Sequence, residues 1–127
     1  MRYLVDTHTL LWFIHGHDSL SPLARIVIEE QDNECFVSVA SLWEMAIKVA
    51  IHKLNLGLPF KDLKLKLEEN NLKCLPIYFE HTLAVSTLPL HHTDPFDRLL
   101  IVQSQVDELI LISKDEHFKF YNIETLW

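Results

Sequence analysis

Asp6, Glu44, Asp97 and Asp115 each sit at or just beyond the edge of an apolar run. Three of those runs read as buried strands: Tyr3-Leu4-Val5 before Asp6, Cys35-Phe36-Val37 upstream of Glu44, and Leu109 to Ile112 before Asp115. Asp97 instead opens a helix-like stretch, Arg98 to Val106. If the strands are parallel, all four acids reach one end of one sheet, the end at which open α/β sheets bind ligands. Carboxylates gathered there repel by about 4 kcal/mol per close pair at an effective dielectric of 20. Among lysines and arginines, only Arg98 and Lys114 adjoin them in sequence. A hard divalent cation offsets the repulsion, and oxygen-only, partly hydrated octahedral ligation suits Mg²⁺ or Mn²⁺ rather than Zn²⁺. Such sites commonly serve phosphoryl chemistry.

Each acid also has a structural reading. Asp6 can cap a helix that starts at Thr7, and Asp115 can cap a last short helix. Glu44 follows Ser41 at the spacing of a capping box, although Ser38 is the better cap. Asp97 lies three residues after Asp94, at a helix position where negative charge suits the dipole. The site reading gains from Asp6, which interrupts a buried apolar segment where an unpartnered charge is costly.

Competing chemistries lack their residue patterns. The eight histidines include the adjacent pair His91-His92, but no HExxH and no paired cysteines, so zinc-ligand spacing is missing. There is no glycine-rich phosphate loop and no nucleophile elbow. Trp12, Phe13, Trp43 and Phe96 read as core or groove lining rather than a base-stacking platform.

The elements that must position the acids alternate between strand and helix. Strands are expected at residues 2–6, 35–38, 72–77 and 109–113, with an edge strand at 120–123. Helices are expected at 7–15, from Ser21-Pro22 to about Gln31, from a Ser38 cap to about His52, at 60–70, at 80–87, and from Asp94-Pro95 to about Gln105. A short helix follows Asp115. Asn55 to Pro59 is the clear break. This alternation predicts a parallel, three-layer α/β sheet with right-handed crossovers.

The 127 residues, 49% apolar with 2 Gly and 5 Pro, suffice for one domain with a real core. A formal net charge of −7 excludes a generic polyanion binder. Yet Lys48, Lys53, Lys61, Lys64, Lys66 and Lys73 hold six of the eleven basic residues, which leaves room for a local basic face. Cys35 and Cys74, both in apolar strand-like runs, read as buried free thiols of a reducing compartment. The N-terminus has no signal-peptide pattern and no run approaches a bilayer span, so a soluble cytoplasmic protein without membrane attachment is expected.

Four segments together resemble the PIN domains: Tyr3-Leu4-Val5-Asp6-Thr7-His8, Ser38-Val39-Ala40-Ser41-Leu42-Trp43-Glu44, His91-His92-Thr93-Asp94-Pro95-Phe96-Asp97-Arg98-Leu99-Leu100, and Ser113-Lys114-Asp115. They are most similar to the VapC-type toxins of bacterial toxin–antitoxin pairs. The resemblance covers nearly the whole chain in the right order, and Asp-Pro-Phe-Asp-Arg is its most specific piece. It implies that residues 1–127 form a single PIN-like nuclease domain, an α/β/α sandwich with a five-stranded parallel sheet of order 3-2-1-4-5. It matches Asp6, Glu44, Asp97 and Asp115 to the family's acidic, metal-binding and catalytic quartet. Thr7 and Ser113 match supporting hydroxyl residues, and the role of Asp94 stays open beyond a helix cap. The implied activity is Mg²⁺- or Mn²⁺-dependent endoribonuclease cleavage, with homodimerisation and inhibition by a small cognate antitoxin.

On this reading Asp6 and Asp97 ligate the main metal, while Glu44 and Asp115 complete its shell and orient water. Lys48, Lys53 and Lys61, with the later lysines, would steer the RNA backbone by charge; a solvated helix face explains them equally well. Two alternatives stand beside it: a non-catalytic metal-binding or protein-interaction module, and a nuclease acting on other nucleic acid.

Overall fold

The computed structural model describes residues 1–127 and contains five strands and six α-helices. The strands are β1 (Arg2–Val5), β2 (Glu34–Ser38), β3 (Leu72–Leu75), β4 (Ile110–Ile112) and β5 (Thr125–Leu126). They form one sheet in the order β3-β2-β1-β4-β5, and every pairing is parallel. The expected topology is therefore the observed one. The helices are α1 (Thr7–His15), α2 (Pro22–Glu29), α3 (Val39–Ala50), α4 (Leu63–Glu69), α5 (Phe79–Ser86) and α6 (Pro95–Val106). No helix is long and apolar enough to cross a membrane.

The pleat of β1 divides the core. Tyr3 and Val5 join one apolar cluster with Leu10 of α1, Ala24 of α2, Met45 of α3 and Leu67 of α4. Leu4 faces the opposite way, into a second cluster with Leu100 and Ile101 of α6, Leu111 and Phe118. Because successive strand side chains point to opposite faces, the apolar run Tyr3-Leu4-Val5 of β1 must be covered on both. The result is a helix–sheet–helix sandwich with β1 at its centre.

Helix starts follow the polar signals. Ser21 accepts from Ala24 N–H at 3.0 Å with Pro22 at the first helical position, and Ser38 accepts from Ala40 N–H at 3.0 Å. Asp94 repeats the cap-plus-proline start for α6. Gly16 ends α1 in the left-handed conformation, φ 61°.

Three expectations need correction. The edge strand is Thr125–Leu126 rather than 120–123, because residues 116–120 wind into a 3₁₀-helix. Phe118 and Tyr121 are buried while Phe120 is 65% exposed, a spacing of three that suits a tight helix and not an alternating strand. The stretch 60–70 divides into a 3₁₀ turn, Phe60–Asp62, followed by α4. Finally, Cys74 is exposed and only Cys35 is buried, because β3 is an edge strand with Leu72 and Leu75 as its only buried residues. Burial pushes the Cys35 thiol up to about 11.

Candidate active site

Parallel strands deliver the acids to a shared location. Asp6 follows β1, Glu44 lies in the helix after β2, Asp115 follows β4, and Asp97 occupies the first turn of α6. All sit at the carboxyl end of the sheet, where the strand order reverses around β1. They line one pocket of about 170 Å³ together with Asp94, Thr7, His8 and Lys48. An adjoining hollow of about 260 Å³ shares Asp6, His8 and Asp115 and is bordered by Trp12 and Lys114. A larger hollow of about 370 Å³ against β3 is lined by Lys64, Leu67 and Lys73 and lacks this convergence of acids.

Each carboxylate is anchored differently. Asp6 is buried; its Oδ1 accepts from Thr9 N–H at 2.9 Å and its Oδ2 accepts from the Ser113 hydroxyl. Ser113 Oγ in turn accepts from Asp115 N–H at 3.0 Å. Asp94 Oδ1 accepts from the N–H groups of Phe96 and Asp97, at 2.8 and 3.0 Å. Glu44 lies 3.3 Å from Lys48 Nζ one helical turn away. Asp115 Oδ1 accepts from His117 N–H at 2.9 Å and lies 2.9 Å from His117 Nδ1. The capping roles of Asp6, Asp94 and Asp115 are thus real, and they coexist with the pocket.

Electrostatics separate the group. Burial pushes the Asp6 carboxyl above its ordinary value, against hydrogen bonds from Ser113 and Thr9. Burial, then the charges of Asp94, Glu44, Asp6 and Asp115, push Asp97 up to about 7. Asp115 is partly buried, which raises it, but the hydrogen bonds from His117 outweigh this and hold it below the usual range. The pocket thus contains at least one carboxylate whose ionisation its neighbours oppose, a condition typical of functional sites.

The supporting residues divide. Ser113 joins two of the acids, whereas the Thr7 hydroxyl, though at the pocket, donates to Ser41 Oγ at 2.9 Å. Of the lysines named from the sequence, Lys48 lines the pocket. Lys53 lies in the turn after α3, and Lys61 borders a separate apolar hollow with Leu42 and Phe60. Trp12 and Phe13 pack against the core as expected. Trp43 does not: it is 58% exposed and meets Phe96 edge-to-face at 5.2 Å.

His92 was missed as a site residue. Its Nε2 lies 3.2 Å from Asp97 Oδ2 and 3.6 Å from Asp115 Oδ2. The atom is buried and makes no hydrogen bond: Asp97 is near enough but off line, and Asp115 lies beyond hydrogen-bond distance. His91 turns instead toward Phe120 and Tyr121. Adjacent histidines cannot share a helix-face ligand pattern, so spacing alone dismissed both; the loop between Leu88 and Asp94 sends them to different places.

The donor chemistry fits a divalent cation. Several carboxylates converge, no thiol is present, and one buried ring nitrogen lacks a hydrogen-bond partner. His92 stands outside the oxygen-only donor set expected from the sequence, yet its ring nitrogen and one carboxylate oxygen from each of Asp97 and Asp115 lie within 4.8 Å of one another.

Fold and pocket together define an α/β/α sandwich with an acidic pocket at its topological switch point. The PIN domain model matches residues 3–124, and the chain belongs to that family. Its fold is similar to that of a chain in the VapBC2 complex from Rickettsia felis, solved bound to a DNA fragment from their promoter. The TM-score there is 0.76, at 16% identity over 100% of this chain and 99% of that one. FitAB bound to an IR36 DNA fragment aligns with TM-score 0.65 and 15% identity, over 99% of this chain and 94% of that chain. FitAcB from Neisseria gonorrhoeae gives 0.63 and 14%, over 100% and 97%. None of the curated proteins matches the sequence at a significant level.

Proposed function

We propose that this protein is a divalent-metal-dependent endoribonuclease, the toxin of a type II toxin–antitoxin pair. The observation that carries the reading is the convergence of Asp6, Glu44, Asp97 and Asp115 on one pocket at the carboxyl end of the sheet. Asp6 and Asp97 would hold the cation, Mg²⁺ or Mn²⁺, with Glu44 and Asp115 completing its surroundings. When bound, such a cation neutralises charge at the scissile phosphate and activates water for in-line attack. The chain's own groups prepare that step. Ser113 and Thr9 fix both oxygens of Asp6, so its lone pairs are aimed before any ligand arrives. Asp94 holds the first turn of α6 and thereby the Asp97 backbone. Lys48, beside Glu44 and half exposed, is placed to meet a phosphate at the rim.

The toxin assignment draws support from the family membership and from fold neighbours solved as VapBC and FitAB complexes. A homodimer inhibited by a small cognate antitoxin completes the proposal. Exposed apolar side chains such as Phe79, Leu83 and Leu90 are of the kind that protein partners cover.

The test is cleavage by protein freed of any partner. A mixed RNA panel should be cut with Mg²⁺ or Mn²⁺, spared with chelator, and spared by Asp6→Asn and Asp97→Asn. Cleavage that survives both substitutions, or ignores chelator, overturns the assignment. A parallel single-stranded DNA panel distinguishes a ribonuclease from a nuclease of other substrates.

A further inference from the structure

His92 is held more firmly than a loop histidine needs to be. Its backbone N–H donates to Tyr121 Oη at 2.8 Å, and its carbonyl accepts from Arg98 Nη1 at 3.0 Å. Its ring leans on Phe118 with centroids 5.7 Å apart. All this support delivers Nε2 to a buried position without a hydrogen bond, which is unusual for a ring nitrogen. One ligand atom from each of His92, Asp97 and Asp115 lies within 4.8 Å of the other two.

We propose that His92 Nε2 is a direct ligand of the cation, alongside the carboxylates of Asp97 and Asp115, so that this pocket prefers Mn²⁺ to Mg²⁺. The proposal rests on the metal-dependent reading above and deepens it. Mg²⁺ takes hard oxygen donors and keeps its waters, whereas an imidazole nitrogen gains affinity along the transition series. A histidine acting only as a counter-charge would behave in the opposite way. It would compete with the cation, and its removal would tighten metal binding. Nε2 makes no aligned hydrogen bond even to Asp97, the nearer carboxylate at 3.2 Å, which favours the ligand role, since a built ion pair would place a ring N–H on line with an oxygen.

The experiment reads the metal itself. Mn²⁺ is added to the whole protein, and ¹⁴N coupling is measured by pulsed electron paramagnetic resonance, with a ¹⁵N-histidine sample to assign it. Metal affinity is measured by calorimetry. Nitrogen coupling should be present in the native protein, absent in His92→Ala and retained in His117→Ala. Mn²⁺ affinity should fall by at least about tenfold in His92→Ala, a loss that even outer-shell partners can cause, while Mg²⁺ affinity changes less. Absence of nitrogen coupling in the native protein overturns the proposal whether or not the variant folds. So does coupling that disappears only in His117→Ala, or Mn²⁺ binding that tightens in His92→Ala. Chelator-sensitive RNA cleavage without nitrogen coupling removes the His92 role and leaves the nuclease standing. Nitrogen-coupled Mn²⁺ without RNA cleavage does the reverse.

Discussion

The hydroxyl of Ser113 donates to Asp6 Oδ2 across 107 residues of sequence while accepting the Asp115 N–H, so one small side chain fastens β1 to the end of β4. It also fixes the direction in which a buried carboxylate presents its second oxygen.

Ser113→Ala should therefore cost about 1–3 kcal/mol, the range for leaving a buried acceptor without its donor. Urea unfolding at neutral pH checks this. A variant as stable as the native protein would mean that Ser113 does not support Asp6.

In metal-free protein the raised Asp97 sets the pH dependence. Its folded pKa of about 7 exceeds its unfolded value of 3.8, so the folded state holds a proton that the unfolded state has released. Stability must then fall as pH rises from about 4 to 7 and level off above. Asp6 is also raised and acts in the same direction. Asp115 is lowered, so its contribution is lost only as pH falls below about 3.8, outside this window. Asp97→Asn should flatten the slope and melt a few degrees above native at pH 8 without metal, because it relieves repulsion. Saturating Mn²⁺ should raise the native Tm at pH 8 by mass action. A metal-free Tm that rises through this window contradicts the assigned burial and repulsion.

Lys48 and its distant companions should separate in kinetics. Lys48→Ala should raise KM for RNA and reduce the slope of log KM against log salt by about 0.7–1, the loss of one phosphate contact. Lys53→Ala and Lys61→Ala should leave both unchanged, since neither lies at the pocket. Its ion pair with Glu44 is partly exposed, so Lys48→Ala should cost under about 1 kcal/mol in stability. Equal effects from all three lysines would favour a diffuse basic face.

Arg98 explains why an arginine closes the Asp-Pro-Phe-Asp-Arg run. Its guanidinium donates to the carbonyls of Leu88, Pro89 and His92, each at 3.0 Å. Arg98→Lys should not rescue Arg98→Ala, because an ammonium cannot span three carbonyls set for a planar fork. Both variants should lose about 2 kcal/mol and show faster amide exchange across residues 88–94. Unchanged exchange in that loop would remove the anchoring role.

Much of the site was readable because charge inside an apolar pattern is conspicuous. Asp6 after Tyr3-Leu4-Val5 and Asp115 after β4 announce themselves, and Asp94-Pro95 marks the start of α6 without ambiguity. The edge strand was misplaced because Phe118, Tyr121 and Ile123 suit a helical turn and a strand about equally over so short a span. Cys74 looked buried because an edge strand carries the same apolar residues as a central one while leaving one side uncovered.

By itself the sequence determined the strand–helix alternation, the parallel sheet and the four acids at its carboxyl end, since period and caps are local properties of the chain. Only the tertiary structure decided which other groups share their space. It brought Lys48 rather than Lys61 to the acids, turned Thr7 toward Ser41, and sent His92 inward while His91 turned away. Those outcomes depend on loop paths and on contacts between residues far apart in sequence, which no local spacing encodes.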